Sequence, residues 1–89
     1  MNQAPWRIET TPAFDRELRR LDRPVQARII AYLQTVAELP DPRLRGKALT
    51  ADHAGTWRYR VGDHRVLVRI LDEQVIVLAL TVGHRSDIY

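Results

Sequence analysis

The sequence predicts an α+β fold of order β-α-α-β-β-β, an antiparallel sheet packed on one face by an N-terminal helical hairpin. Three observations lead there. Apolar side chains recur at helical spacing through residues 14–37 and are interrupted once, at Asp22-Arg23-Pro24. Residues 57–82 hold three strand-like runs separated by Gly62-Asp63 and Asp72-Glu73-Gln74, and a short alternating run, PWRIET, precedes the helices. The chain of 89 residues is long enough for one hydrophobic core, so residues 1–89 are expected to form a single domain.

Each element has its own signal. In the run at 5–10, Trp6 and Ile8 fall on one side of a first strand. Thr11 before Pro12 marks a helix start, because the hydroxyl can cap free amides and proline at the first helical position loses no hydrogen bond. Phe14, Leu18 and Leu21 then form the buried stripe, with Asp15, Arg16, Glu17, Arg19 and Arg20 as a charged outer face. Asp22 is expected to cap the second helix, which begins around Pro24. Val25, Ile29, Leu33 and Val36 supply its buried line, broadened by Ile30, Tyr32 and Ala37. Residues 39–56 hold two prolines and two glycines without a sustained period, so they read as a connecting loop. A long loop in a small domain is more often functional than filler.

Composition narrows the chemistry. With no cysteine, disulfides, thiolate metal sites and a cysteine nucleophile are excluded. The three histidines show no paired spacing, so no metal site is expected, and nothing calls for a cofactor. No apolar run is long enough to span a bilayer, and the N-terminus lacks the pattern of a secretion signal, so the expected location is the cytoplasm. The net charge is +3, but positive charge is concentrated. Between Arg43 and Arg69 there are seven basic residues against two acidic ones, which leaves the remainder of the chain net negative. Such clustering is the footprint of a polyanionic partner, or simply of a solvated basic edge.

The segment WRYRVGDHRVLVRI sharpens the question. A two-residue turn at Gly62-Asp63 sets Val61 opposite His64, Arg60 opposite Arg65, Tyr59 opposite Val66, Arg58 opposite Leu67 and Trp57 opposite Val68. Trp57, Tyr59, Val61, Val66, Val68 and Ile70 then face the helices. The other side carries Arg58, Arg60, Arg65, Leu67 and Arg69. Like charges directly opposite each other cost roughly 0.2–1 kcal/mol. A phosphate between them would convert that repulsion into a clamp, because guanidinium forks match phosphate oxygens. If Ile76, Leu78, Leu80 and Val82 face the core, then Val75, Val77, Ala79 and Thr81 lie on the arginine side. Continuing that parity brings Arg85 to the same side, with His84 and Tyr89 bordering the cluster.

GTWRYRVGDHRVLVRI followed by VLALTVGHRSDIY resembles the RelE family of toxins from bacterial and archaeal toxin–antitoxin pairs, within the wider RelE/ParE group. The likeness extends to the FDRELRRLD segment and the LRGKAL loop, and so covers nearly the whole chain with a RelE-like fold. The resemblance implies a metal-independent endoribonuclease that cuts messenger RNA in the ribosomal A site and so inhibits translation. It also implies a cognate antitoxin that wraps around the toxin in a hetero-oligomer, covering the helices or the basic groove. Leu67, Val75 and Val77, on the open face of the sheet, are candidate contacts for it. Residue by residue, Arg58 and Arg60 match two basic strand positions that are commonly lysine in the family. Arg65 matches its arginine after the hairpin turn, Arg85 its arginine after the last strand, and Tyr89 its closing tyrosine. Lys47 falls in a loop that is also basic in the family, and Arg45 and Arg69 extend the expected RNA-binding surface.

The catalytic set implied is Arg65, Arg85, Tyr89, Arg58, Arg60 and His84. Cleavage through the 2′-hydroxyl needs a base, positive charge on the crowded phosphorane and an acid for the departing oxygen. Arginine suits the second task. It serves poorly as a base, because a guanidinium keeps its proton in proteins. His84 is the natural substitute for the family's lysine, as an imidazole titrates near neutral pH, and Tyr89 could lose a proton or stack on a base. His64 stands third. Two other readings stay open: a ParE-like toxin that poisons DNA gyrase without catalysis, and a binding module without activity.

Overall fold

A computed structural model describes residues 5–50 and 55–86. They form strand β1 (Arg7–Thr10), helices α1 (Pro12–Arg19) and α2 (Arg23–Ala37), a short 3-10 helix (Pro42–Leu44), then β2 (Lys47–Ala48), β3 (Trp57–Val61), β4 (His64–Leu71) and β5 (Ile76–His84). The sheet order is β1-β5-β4-β3-β2. The β3-β4-β5 meander is antiparallel, and β1 adds to its edge parallel to β5, so the five-stranded sheet is mixed. A parallel neighbour is available because the helical hairpin and meander between β1 and β5 form a long crossover. β2 lies inside the segment expected to be loop. Its two residues pair with Trp57 and Arg58, a ladder too short to show as alternation.

The helix-start signal at Thr11 is realised: its hydroxyl accepts from the Phe14 amide at 3.1 Å and donates to the Leu80 carbonyl at 2.7 Å. Asp22 occupies the cap position of α2 but its side chain makes no capping bond. Instead the Gln26 side-chain amide donates to the Leu21 carbonyl at 2.7 Å, closing the junction between the helices. Phe14, Ile29, Leu33 and Val36 pack with Tyr59, Val61, Val66, Val68, Val77, Ala79 and Val82 in one core cluster. Ile30, expected to broaden the buried stripe, is 43% exposed. It borders an apolar groove of about 280 Å³ between β1, α1 and α2.

Strand β5 departs from simple alternation at one point. Leu67 pairs with Thr81 but Val68 pairs with Ala79, which leaves Leu80 as an extra residue, a β-bulge. Before the bulge Val77 and Ala79 point into the core; after it Val82 does. The expected inward set of Ile76, Leu78, Leu80 and Val82 is therefore correct only at its end, and Val77 is a core residue rather than an open-face contact. Leu67 is also buried, which leaves Val75 alone of those three contacts exposed. Beyond Thr10 the outer edge of β5 is closed by α1. Glu17, read from sequence as surface charge, accepts from the Val82 amide at 3.1 Å and from the Thr81 hydroxyl. A carboxylate there satisfies an edge that would otherwise invite another strand.

Val75 lies in the β4–β5 turn rather than in the strand and has φ of +57°. A β-branched side chain is disfavoured in this left-handed region by about 1–2 kcal/mol. Val75→Gly should therefore stabilise the protein by about 0.5–1 kcal/mol after the greater chain entropy of glycine is counted. Urea unfolding would show this as a higher midpoint at unchanged slope, and a lower midpoint would refute it.

The Tyr59 hydroxyl donates to the Pro42 carbonyl at 2.7 Å inside the core. Burial, and next the neighbouring Tyr32, hold its phenol well above the ordinary range. The unfolded chain would release that proton near pH 10, and the folded one only at higher pH. Its contribution to stability is thus intact below about pH 10 and lost as pH rises further. Tyr59→Phe should cost about 1–3 kcal/mol at neutral pH by orphaning the Pro42 carbonyl. It should also flatten the alkaline limb of a stability–pH profile; an unchanged limb would exclude this origin.

Candidate functional site

The β3–β4 register is the one the turn signal predicts, with Arg60 opposite Arg65 and Arg58 opposite Leu67. β2 adds Lys47 opposite Arg58. Cations from three strands therefore share the face of the sheet turned away from the core. Arg58 and Arg65 are half-buried, while Lys47, Arg60 and Arg69 are exposed. The Nε atoms of Arg58 and Arg65 are shielded from solvent, and that of Arg58 has no hydrogen-bond acceptor among the described residues. Arg69 lies on the same face but opposite Leu78, separated from Arg65 by buried Leu67. It stands apart from the group.

At the edge of β3, beyond the short β2, Tyr32, Gly46, Lys47, Arg58 and Arg60 line an open cleft of about 230 Å³. The Arg45 guanidinium stacks over the Tyr32 ring, 5.4 Å from its centroid. Tyr32 in turn packs at a tilt against Tyr59, with centroids 5.6 Å apart. Sequence periodicity assigns Tyr32 only to the core of α2. Its place in the cleft depends on a loop contact that periodicity does not encode.

That loop is fixed at several points. The Trp57 indole donates to the Arg45 carbonyl at 2.7 Å, and Tyr59 holds Pro42 as described. Arg43 binds Asp72 in the β4–β5 turn through two parallel contacts, at 3.0 and 2.7 Å. This hydrogen-bonded pair lowers the Asp72 pKa and raises that of Arg43. One of the seven clustered basic residues thus serves as a clasp. Among the described residues, Arg45, Lys47, Arg58, Arg60, Arg69 and Arg85 make no ion pair.

The C-terminal candidates divide. Gly83 pairs with Arg65, and the Arg85 amide continues the ladder to the Asp63 carbonyl at 2.8 Å. Arg85 is therefore at the hairpin end of the cationic face and on the parity of Arg65. His84 pairs with His64, on the parity of Val61, which is the opposite face. Its Nδ1 lies 2.8 Å from the Ser86 hydroxyl. Tyr89 lies outside the described residues.

Residues 8–89 match the model of the ParE toxin family, described as the toxin of the parDE type II toxin–antitoxin system. The chain belongs to the RelE/ParE superfamily of type II toxins. Within that superfamily it is 36% identical over 86 residues to Toxin RelG of Mycobacterium tuberculosis, covering 96% of this chain and 97% of the relative. The toxin–antitoxin complex RelBE2 of Mycobacterium tuberculosis contains a chain that superposes with a TM-score of 0.84 at 31% identity, covering 97% of this chain and 98% of that one. The isolated RelE toxin of E. coli shares the fold, with a TM-score of 0.73 at 20% identity over 89% of this chain and 83% of that one. The RelE resemblance carried by the hairpin and the closing motif is thus met by both family and fold.

In this RelE-type scaffold the loop reaches the cationic face through Gly46. Its φ is +85°, and a Cβ there would come within 3.0 Å of the Arg58 carbonyl, the Trp57 indole nitrogen and the Tyr59 ring. Gly46→Ala should displace the loop and cost about 2 kcal/mol or more, combining left-handed strain with overpacking. Thermal unfolding checks this, and a melting temperature within error of the parent would refute it.

Proposed function

We propose that this toxin is a metal-independent endoribonuclease that cleaves messenger RNA in the ribosomal A site. The observation that carries the reading is the cross-strand placement of Lys47 with Arg58 and of Arg60 with Arg65 on one solvent-facing side of a rigid sheet. Like charges held together by the fold suit a phosphodiester that neutralises them. Arg65 and Arg85 would grip the scissile phosphate, and Arg58 and Arg60 would stabilise the phosphorane as the 2′-oxygen attacks and the phosphorus–5′-oxygen bond breaks, the departing 5′-oxygen taking its proton from water. His84 lies on the opposite parity from this clamp. The 2′-hydroxyl proton is accordingly assigned to Tyr89, the position that matches the family's closing tyrosine. Lys47 would hold the RNA backbone, and the Arg45–Tyr32 stack would present a planar surface to a base.

The partner implied is a cognate antitoxin, in keeping with the toxin–antitoxin complex of the mycobacterial relative. The apolar groove lined by Ile8, Phe14, Leu18, Ile30 and Leu33 offers a covering segment an apolar surface that the open sheet face lacks, since Leu67 there is buried and Val77 is turned into the core. A second reading, gyrase inhibition without catalysis, is favoured by the ParE description of the matching family.

In a translating extract, messenger-RNA ends should map to cuts in phase with codons, while a parallel gyrase supercoiling assay stays unaffected. Arg65→Ala and Arg85→Ala should each lower cutting at least about a hundredfold with the circular dichroism unchanged, as loss of one transition-state donor does elsewhere. Loss of supercoiling without RNA cuts would select the second reading.

A further inference from the structure

The mechanism above makes no use of a pairing that the β4–β5 register creates on the other face of the sheet. His64 and His84, far apart in sequence, are direct cross-strand partners. Their rings meet edge to face, 5.6 Å between centroids at 85°. Side chains directly opposite on antiparallel strands have Cβ atoms about 4.5–5.5 Å apart. Two imidazole nitrogens bound to one metal need to lie roughly 3 Å apart, with metal–nitrogen distances of about 2.0–2.1 Å. Small rotations of two half-exposed rings can reach that geometry.

The Ser86 hydroxyl supplies the orientation a metal-bound imidazole requires. It lies 2.8 Å from His84 Nδ1, and the Ser86 amide donates to the same nitrogen at 3.2 Å. The amide contact makes Nδ1 the acceptor and leaves the proton on Nε2. An ion binding at Nε2 would shift that proton to Nδ1, which would then donate to the Ser86 hydroxyl in place of accepting from the amide, the arrangement common to histidine ligands. We propose that His64 and His84 form a two-histidine site for a divalent transition-metal ion, with copper(II) bound more tightly than zinc(II). Among the described residues no group of three or more potential ligands occurs, so water completes the coordination and the ion exchanges. The surrounding charge is mixed. Asp63 in the adjoining turn favours a cation, whereas Arg28, which approaches the Gly62 turn from α2, opposes it. Arg65 and Arg85 lie on the other parity. A bound ion would bridge β4 and β5 at the end that also carries Arg65 and Arg85.

The test uses tag-free full-length protein titrated with zinc(II) and with copper(II) in a non-coordinating buffer. Calorimetry should give one ion per chain, and copper(II) electron paramagnetic resonance of the unsubstituted protein should show hyperfine splitting from two imidazole nitrogens. His64→Gln and His84→Gln should each weaken binding at least tenfold, while His53→Gln leaves it unchanged. A copper spectrum with one imidazole nitrogen or none, or affinity that survives both substitutions, would overturn the proposal. The spectrum needs no variant, so a substitution that fails to fold does not rescue it. The proposal does not rest on ribonuclease activity, and failure of either leaves the other standing.

Discussion

Everything on the cationic face depends on the pairing register of β3 with β4. A slip of β4 by one residue would turn Arg65 toward the core and expel Val66 and Val68 to solvent, and the same slip of β3 would turn in Arg58 and Arg60 and expel Tyr59. The magnitudes are lopsided. Tyr59, Val66 and Val68 have no exposed surface, and full burial of such side chains contributes about 1.5–3 kcal/mol each. Repulsion between Arg60 and Arg65 costs roughly 0.2–1 kcal/mol. Burial therefore sets the register, and the arginine pair is carried along with it. The hairpin can hold like charges together because its other face is so firmly committed.

The same core residue that sets the register also ties down the loop. Tyr59 anchors Pro42, Trp57 anchors Arg45, and the Arg43–Asp72 clasp joins the segment to the far turn. The clasp is exposed and adds little to stability by itself. Its geometric effect is larger, since it fixes a stretch that would otherwise lose entropy when it ordered around a ligand. Lys47 and Arg45 thus meet the strand arginines as parts of one surface, and the shielded Arg58 Nε lies at its centre.

Local signals were readable wherever a short motif fixes geometry. Thr11-Pro12 specifies a helix start, and Gly62-Asp63 specifies a two-residue hairpin; from the latter the whole Arg58–Arg60–Arg65 arrangement follows. What escaped the sequence was non-local. The bulge at Leu80 inverts the faces of half of β5, because VIVLALTV is apolar on both sides and alternation carries no information there. Glu17 reads as surface charge until α1 is seen lying against the edge of β5. Tyr32 reads as core until Arg45 stacks on it, and His64 and His84 read as unrelated until the strands bring them together. Each miss is a contact between elements rather than a property of one.

Arginine at both β3 positions changes the division of labour on this face. A lysine crowded by cations can trade its proton and serve as both charge and base. Arg58 and Arg60 can serve only as charge, permanently present and aimed through planar forks. In the proposed cleavage, fixed charge would need no reorganisation as a phosphorane formed, because the buried side of the hairpin already holds it in place. The proton would then fall to a residue outside the meander's arginine rows. Register places His84 on the opposite face, so in the ribonuclease proposed above the proton-transfer role would fall to the closing motif after Arg85, apart from the arginines that would bind phosphate.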